Sequence, residues 1–345
     1  MNTLFRKFVP AAALAFLTIP IGMAGSRGPG DSSHPRERAF QFSYKAEISQ
    51  IPEGTRELRI WLPYPTTNPH QEIYDVQVNG PGKATVYTEP RYENSILYLP
   101  IQNPGTGPVT VEVDFKVRRS EYLRRDLVSY KPASVRAIDP GMQTYLAADR
   151  LVPLNDRIKK IAEEVTRGKK TDLDKARAIY DYTIANMKYD KSGEGWGRGD
   201  IIFACDAKRG NCTDFHALFM GLCRVSGIPA RFSIGFPLPE KHGEGQIPGY
   251  HCWAEFYLTG YGWVPVDASE AWKHPEKKDY FFGGHDENRV QLSTGRDLIL
   301  RPRQQGDPLN YFVYPYVEAD GKTLKSVKTD FHFKDLDGDE STKAF

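Results

Sequence analysis

Apolar and β-branched residues in the first third of the chain occur in short runs separated by turn signals. Six such runs occupy residues 40–48, 58–62, 73–78, 84–87, 96–99 and 109–117. Segments rich in glycine and proline separate them, for example Asn-Pro-Gly-Thr-Gly at residues 103–107. Strands of this length and spacing predict a small antiparallel β-sandwich over residues 38–120. This stretch brings together no cysteine, histidine and acid, so we expect a supporting or recognition region.

The apolar pattern changes to a helical period in the middle of the chain. Asn155 can cap a first helix, and Thr171 with Asp174 three residues later has the form of a capping box for a second. A third helix is predicted to begin at Cys212, after a glycine turn. The glycine-rich residues 191–199 predict a loop, which is either a mobile segment near a site or an ordinary surface connection.

Residues 250–267 predict a β-hairpin, with a turn at its centre that contains two glycines. The hairpin places His251 near one end of a strand and Asp267 on the neighbouring strand. A four-residue loop would point Asp267 away from the His251 face. We therefore predict a register shifted by one residue, in which Asp267 faces Trp253 and lies diagonal to His251.

Three further strand-like runs, at 290–292, 298–300 and 311–317, precede a turn at Asp320 and Gly321. We expect these runs to complete the same sheet, so that a second domain extends over residues 140–330. The final segment, 331–345, alternates aspartates with other residues, but its glycine falls at the wrong position for a calcium loop. It predicts a solvated acidic tail.

The N-terminal residues 1–25 have the features of a cleaved secretory signal, with Arg6 and Lys7 before a short apolar run. A flexible leader over 26–37 follows. We expect an exported protein, periplasmic or secreted, without a membrane span in its mature form. The formal net charge of +2 includes Arg6 and Lys7, so cleavage leaves a neutral chain and gives no reason to expect a nucleic-acid partner. The pattern does not predict an oligomeric state.

All four cysteines lie between residues 205 and 252, and no two have the C-x-x-C spacing of a zinc site. We expect neither a metal nor a cofactor. Cys212 stands at a predicted helix start, where free N–H groups and the helix dipole favour the thiolate. Cys223, about three turns later, is expected to be a buried hydrophobe. The alternative for Cys212 is a structural disulfide; if Cys212 is instead a free nucleophile, the four cysteines form at most one bridge.

Two other histidines compete with His251 for the role of base. His216 follows Cys212 by one helical turn and could touch the sulfur, but it has no evident acid to orient it. His242 is the other competitor. Asp214 is expected to support the start of the helix rather than to orient a base. The tryptophans near the site, Trp253, Trp263 and Trp272, are given no role.

These segments together resemble the transglutaminase-like superfamily of papain-like cysteine enzymes. The resemblance covers residues 150–275 and rests on the blocks Gly210-Asn211-Cys212-Thr213-Asp214, Gly227-Ile228-Pro229-Ala230-Arg231, Tyr250-His251-Cys252-Trp253-Ala254-Glu255-Phe256 and Gly262-Trp263-Val264-Pro265-Val266-Asp267. It implies an α+β fold in which a cysteine-bearing helix packs on an antiparallel sheet. It also implies Cys212 as nucleophile, His251 as base and Asp267 as its orienter. Animal cross-linking transglutaminases carry tryptophan at the position of Thr213, so the resemblance does not extend to cross-linking specificity.

The expected chemistry is acyl transfer from an amide of a protein or peptide through a thioester on Cys212. Water as the second nucleophile would make the enzyme a protease or amidase, and an amine would make it a transglutaminase. The backbone N–H of Cys212 is the natural first oxyanion donor, with Trp196 or Asn211 as candidates for the second. A binding module with a vestigial triad and a disulfide-stabilised structural protein are the alternatives from other classes.

Overall fold

The computed structural model describes residues 35–132 and 140–336. The predicted signal segment, most of the predicted leader and the tail from residue 337 onward lie outside these ranges. No helix within the described ranges is both long enough and apolar enough to cross a membrane.

Alternating buried and exposed side chains form the N-terminal strands. In the first and sixth strands almost every second residue is buried, as expected when one face of a sheet covers a core. All six runs read from the sequence are strands, and a short seventh follows. These strands are β1 Glu37–Ile48, β2 Glu57–Pro63, β3 Gln71–Asn79, β4 Thr85–Thr88, β5 Ser95–Gln102, β6 Val109–Ser120 and β7 Tyr122–Leu123.

The middle of the chain supplies four helices and two short strands. They are α1 Asp156–Val165, α2 Asp172–Asn186, β8 Lys188–Tyr189, α3 Ile201–Ala207, β9 Arg209–Gly210 and α4 Cys212–Val225. The predicted caps of the first two helices are confirmed: Asn155 accepts from the N–H of Ile158, and Thr171 with Asp174 forms a full capping box. The sequence analysis missed α3, which is only seven residues long and is capped by Asp200.

Mostly β structure follows α4, with one further α-helix. These elements are β10 Ala230–Pro237, β11 Glu244–Gln246, β12 His251–Leu258, β13 Gly262–Val266, α5 Ala268–Lys273, β14 Gly284–His285, β15 Arg289–Thr294, β16 Tyr316–Ala319, β17 Lys322–Thr323 and β18 Val327–Asp335. Short 3-10 helices occupy Arg125–Ser129, Pro140–Tyr145 and Pro275–Lys277. The run at 298–300 forms only an isolated bridge between Leu298 and Leu309.

Two five-stranded antiparallel sheets surround the N-terminal core. Their strand orders are β11-β18-β1-β6-β3 and β17-β16-β2-β5-β4, and their buried faces share one apolar cluster. The expectation that the runs after Asp267 complete the sheet of the hairpin is wrong for the last run, because its end forms β16, which pairs with β2. The sequence analysis did not predict β18, which pairs with β1. Residues 331–335, expected in the acidic tail, belong to β18. The described residues pack as one compact unit, and the division at 120 and 140 stays a proposal.

A four-stranded sheet, β13-β12-β10-β15, carries the predicted hairpin. Leu258 pairs with Gly262 and Ala254 with Val266, so the next position along the hairpin places Asp267 opposite Trp253. The register predicted from the sequence is confirmed. Helix α4 packs on this sheet and is surrounded by the other helices, so that every residue from Cys212 to Arg224 is buried. The molecule is an α+β protein in which a central helix lies against an antiparallel sheet.

Candidate active site

Cys212 is the first residue of α4, and the polar groups around the helix start fix its position. Asn211 and Asp214 form a reciprocal capping box, in which each side chain accepts a backbone N–H from the other end of the turn. The side chain of Cys212 is only 2% exposed. Its own N–H has no hydrogen-bond partner among the described residues, and it lies in the first turn, where the helix dipole favours negative charge.

His251 and Asp267 meet across the hairpin. The Nε2 atom of His251 lies 2.7 Å from Oδ2 of Asp267, and both side chains are buried. The other carboxylate oxygen of Asp267 accepts from the Ser269 hydroxyl and from the Glu270 N–H, both at 3.0 Å. Arg289 also donates to Oδ2 of Asp267, at 3.2 Å. These bonds fix the carboxylate so that it can orient the imidazole.

The pKa shifts describe a thiolate beside an imidazolium. Burial would raise the pKa of Cys212, but hydrogen bonds from Cys252 and His251, with the charge of His251, lower it well below its ordinary value. Burial would lower the pKa of His251, but the charge and hydrogen bond of Asp267, with Cys212, raise it from 6.5 to about 10. Burial would also raise the pKa of Asp267, yet His251 and Arg289 hold it well below its usual range. These pKa directions favour a thiolate on Cys212 paired with an imidazolium on His251.

His216 lies closer to an acid than the sequence analysis allowed. Its Nε2 accepts from the Ala268 N–H at 3.2 Å and is 3.7 Å from Oδ1 of Asp267, which corrects the expectation that no acid is near. Its Nδ1 is 3.7 Å from the sulfur of Cys252. Burial lowers the pKa of His216, and its nitrogens contact Ala268 and Cys252. His242 is exposed and lies 3.5 Å from Asp335.

None of the four cysteines forms a disulfide; all are free. Cys223 is fully buried in α4, as expected, and burial raises its pKa well above the ordinary value. Cys252 is buried next to Cys212, and burial followed by the hydrogen bond and charge of Cys212 raises its pKa. Only Cys212 among the four has its thiol pKa lowered, so it has the largest thiolate fraction of the set near neutral pH.

Asp214 holds the glycine-rich loop against the start of α4. Its carboxylate accepts from the N–H groups of Gly197 at 2.7 Å, Gly199 at 3.0 Å and Asn211 at 2.9 Å. Arg296 donates to the carbonyl of Gly199 from the other side, at 2.8 Å. The loop is therefore attached at the start of α4. Of the two alternatives left open for residues 191–199, the structure favours a segment near the site over an ordinary surface connection.

The two candidates for a second oxyanion donor differ in what their N–H groups contact. The Nε1 of Trp196 donates to the carbonyl of Gly193 at 3.0 Å, so that group is already occupied. The Nδ2 of Asn211 donates to the hydroxyl oxygen of Tyr250 at 2.9 Å. Burial and then the charge of Cys212 raise the pKa of Tyr250, which places its hydroxyl in the field of the sulfur.

Two cavities border His251. The larger, about 490 Å³, is lined by Tyr189 and Tyr250 as well as by His251. The smaller, about 310 Å³, extends to Arg289. Both also touch Glu270. Open space therefore borders the imidazole in two places.

His251, Asp267 and Glu270 offer donor atoms within 4.8 Å of one another, which is close enough for a metal ion. Metal binding needs a neutral imidazole lone pair. Because the pKa of His251 is raised to about 10, its ring is protonated at neutral pH and fits a metal poorly. Arg289, which also contacts Asp267, adds a second positive charge. The donor set suits an ion pair better than a metal centre.

Sequence reasoning missed Arg289, Ser269 and Tyr250 as parts of the site. Arg289 lies on β15, two strands away from β12, and no local motif connects it to Asp267. Ser269 follows Asp267 by two residues in α5, a helix that was not predicted. An aspartate directly before Ala-Ser-Glu is a usable signal, because Asp and Asn are favoured helix caps.

Comparison with known proteins shows what this chain is similar to. Residues 159–268 match the family described as the Transglutaminase-like superfamily. An uncharacterized protein from Haemophilus influenzae is 28% identical over 312 residues, covering 80% of this chain and 85% of that protein. YebA from Bacillus subtilis is 26% identical over 151 residues, which are 39% of this chain and 20% of that protein.

A solved structure gives the same fold. The crystal structure of a cysteine protease candidate from Cytophaga hutchinsonii has a TM-score of 0.60 and 17% identity, and the match covers 88% of this chain and 93% of that one. The fold is shared over nearly the whole of both chains, including the N-terminal β region. The similarity to the transglutaminase-like superfamily covers residues 159–268, the segment that contains Cys212, His251 and Asp267.

Proposed function

We propose that the protein is an exported cysteine enzyme that cleaves or transfers amide bonds of proteins or peptides through a thioester on Cys212. One observation carries the proposal: the buried contact of His251 with Asp267 lies next to a cysteine whose pKa is lowered at a helix start. A structural cysteine in an apolar environment has its pKa raised instead, as Cys223 does. Export rests on the signal-like sequence of residues 1–25.

In the acylation step the Cys212 thiolate attacks the amide carbonyl carbon, and the carbonyl electron pair moves to oxygen. As the tetrahedral intermediate collapses, the C–N bond breaks and His251 gives its proton to the departing amine nitrogen. The products are a thioester on Cys212 and a free amine. His251 is now neutral, with Asp267 still bonded to Nε2, so Nδ1 is the nitrogen left to take up a proton.

In the second step the neutral His251 takes a proton from water or from an incoming amine. The oxygen or nitrogen then attacks the thioester carbonyl carbon. A C–O or C–N bond forms, the C–S bond breaks, and the Cys212 thiolate is restored. Water yields a carboxylic acid and amide hydrolysis; an amine yields a new amide. The site residues are the same for both outcomes, so the accepting nucleophile decides between protease and transamidase.

The negative oxygen of the tetrahedral intermediate needs hydrogen-bond donors. The N–H of Cys212 is the first, because it has no partner among the described residues. We assign the second to Tyr250 and Asn211, whose polar groups are hydrogen-bonded to each other beside the sulfur. Trp196 is excluded from this role in the geometry described because its indole N–H is bonded to Gly193.

Alkylation by iodoacetamide between pH 5 and 9, mapped to each cysteine by mass spectrometry, tests the nucleophile. Cys212 should react near pH 6, while Cys205, whose pKa burial raises, should react only at alkaline pH. His251→Ala should slow the labelling of Cys212 near pH 6. Equal pH profiles for Cys212 and Cys205 would favour a non-catalytic binding module.

A second assay separates hydrolysis from transfer. Casein is incubated with a fluorescent primary amine, and both amine incorporation and new amino termini are measured. Either activity should be lost in Cys212→Ser and kept in Cys223→Ser. New amino termini without incorporated amine would identify a strictly hydrolytic protease, and incorporation without cleavage a transamidase.

A further inference from the structure

A cavity of about 530 Å³ lies on the far side of the catalytic sheet from α4. Along β12, Phe256 packs on Phe219 of α4 and Cys252 contacts His216 of α4. The residues between them, Trp253 and Glu255, line the cavity on the opposite face. We call this space the rear cavity. Its wall includes Arg119, Arg124, Arg231, Trp253, Glu255 and His70. Its volume is typical of small-ligand pockets.

Arg119 is a buried cation for which the described residues provide no ion-pair partner. It stands at the end of the buried face of β6 and is 1% exposed. Its Nε and Nη1 atoms have no hydrogen-bond partner, and its side chain forms no ion pair within the described ranges. Burial and then the charge of Arg289 lower its pKa to about 10, so it remains positive at neutral pH. Leaving such a charge uncompensated is costly for the fold.

Arg38, the neighbour of Arg119 on the adjacent strand, has its buried positive charge balanced by an acid. It pairs directly with Arg119 across β1 and β6 and is equally buried. The guanidinium of Arg38 contacts both oxygens of Asp335, at 2.7 and 2.9 Å, and also the side chain of Asn288. Of these two neighbouring buried arginines, Arg38 has an ion-pair partner among the described residues and Arg119 has none there. Arg119 instead lines the rear cavity.

Two further arginines add positive charge to the rear cavity. Arg231 donates through Nη2 to Glu255 at 2.6 Å, and Arg124 donates through Nη2 to the carbonyl of Tyr261 at 2.9 Å. The Nε atom of each is buried and has no hydrogen-bond partner in the part of the chain that the structure describes. Against these three cations the lining offers only Glu255, which is already paired, and the exposed Glu93.

The lowered pKa of His70 reflects the positive charge of these three arginines. Burial, followed by the charges of Arg119, Arg124 and Arg231, lowers its pKa to about 4. Its ring stacks on Tyr122 with centroids 3.6 Å apart. A neutral imidazole at this position neither repels a bound anion nor provides negative charge for the arginines.

We propose that the rear cavity binds a small molecule bearing a carboxylate or phosphate group, which provides the counter-charge that Arg119 lacks. Charge-assisted hydrogen bonds to guanidinium groups are the interactions such oxyanions prefer. Trp253 separates this site from the catalytic residues: Arg289 lies over its ring at 5.0 Å and reaches Asp267 beyond it. The ligand is therefore distinct from the amide substrate.

Thermal unfolding tests the proposal with three probes: sodium phosphate, acetate and glucuronate, each compared with sodium chloride at equal ionic strength. At least one oxyanion should raise the Tm by several degrees in a saturable manner. Phosphate alone would identify a phosphate-bearing ligand, and acetate or glucuronate alone a carboxylate. Arg119→Met should abolish the response without loss of stability in chloride, because it removes an unpaired charge.

Arg38→Met is the matched control, since it should lower the Tm in every buffer and keep the response to the oxyanion. Arg124→Met, at a half-buried position, provides a second test and should weaken binding at least about tenfold. The response should persist in Cys212→Ala, which keeps this test separate from that of the enzyme activity. A wild-type Tm that follows ionic strength alone, or an undiminished response in Arg119→Met, would overturn the proposal.

Discussion

Nε2 of His251 lies 2.7 Å from Oδ2 of Asp267, although β12 and β13 place the two residues diagonally rather than opposite each other. The diagonal relation leaves Trp253 between them and lets each side chain reach the other. The charge and hydrogen bond of Asp267 are the largest causes that raise the pKa of His251. Loss of that carboxylate should therefore neutralise the ring and return the proton to Cys212.

Asp267→Asn should slow the alkylation of Cys212 at pH 6 by at least about tenfold and move its pH profile toward that of an ordinary thiol. The measurement is the rate of iodoacetamide labelling from pH 5 to 9. Asp286→Asn is a suitable control, because Asp286 bonds the same Arg289 but does not contact His251. An unchanged profile in Asp267→Asn would show that another group sets the charge of the imidazole.

The coupled charges of Cys212 and His251 predict an unusual pH dependence of stability. The raised pKa of His251 gives stability that is complete below pH 6.5 and is lost as pH rises through about 10. The lowered pKa of Cys212 gives stability that is complete above pH 9.0 and is lost as pH falls. Between pH 6.5 and 9.0 the folded protein holds one proton on His251, and the unfolded chain holds one proton on Cys212. Because both states bind the same number of protons, the two pH dependences of stability cancel. The pair should contribute a plateau, with falling stability on both sides.

Cys212→Ala should remove this plateau. With only His251 left to titrate, the free energy of unfolding should decrease from pH 6.5 to 9, by up to about 1.4 kcal/mol per pH unit. Urea unfolding at several pH values measures it. Cys223→Ala removes a buried cysteine from the same helix and should keep the wild-type pH profile. Parallel profiles for Cys212→Ala and the wild type would mean that no ion pair exists.

Cys252 should assist the nucleophile as a hydrogen-bond donor. Its thiol is the first of the contacts that lower the pKa of Cys212, and its own pKa is raised, so it stays protonated. Cys252→Ala should shift the labelling of Cys212 to higher pH without changing the fold. Alkylation of the variant measures this shift, and a profile equal to the wild type would remove Cys252 from the site.

Gly235 is required by the close approach of β10 and β15. A Cβ atom at this position would lie 1.8 Å from the carbonyl oxygen of Val290, next to the point where the pairing register shifts. Gly235→Ala should destabilise the protein by roughly 3 kcal/mol, since backbone must move. Gly249→Ala, where a Cβ meets nothing closer than 3.8 Å, should unfold at nearly the wild-type urea concentration.

Local signals predicted what local interactions determine. The capping box at Thr171, the N-cap at Asn155, the start of α4 and the shifted hairpin register all follow from residues close in sequence. The short helices α3 and α5 were missed because six or seven residues give too little periodicity to detect. Arg289 was missed because its contact with Asp267 spans 22 positions and three strands.

The destination of the last strands could not be read from their sequence. β16 and β18 have the apolar character of any half-buried strand, and a strand pattern specifies a face but not a partner. Their pairing with β2 and β1 follows from the space left at those edges by β5 and β6. Topology of this kind depends on contacts between distant parts of the chain.

The return of β18 to β1 also fixes the order in which the protein can be completed during synthesis. β1 lies between β6 and β18, so one of its edges has no strand to pair with until residues 327–335 have been made. The segment that carries Cys212, His251 and Asp267 is synthesised in that interval. An unpaired strand edge is prone to pair with other chains, so premature termination before residue 327 should leave that segment intact on an aggregating N-terminal sheet.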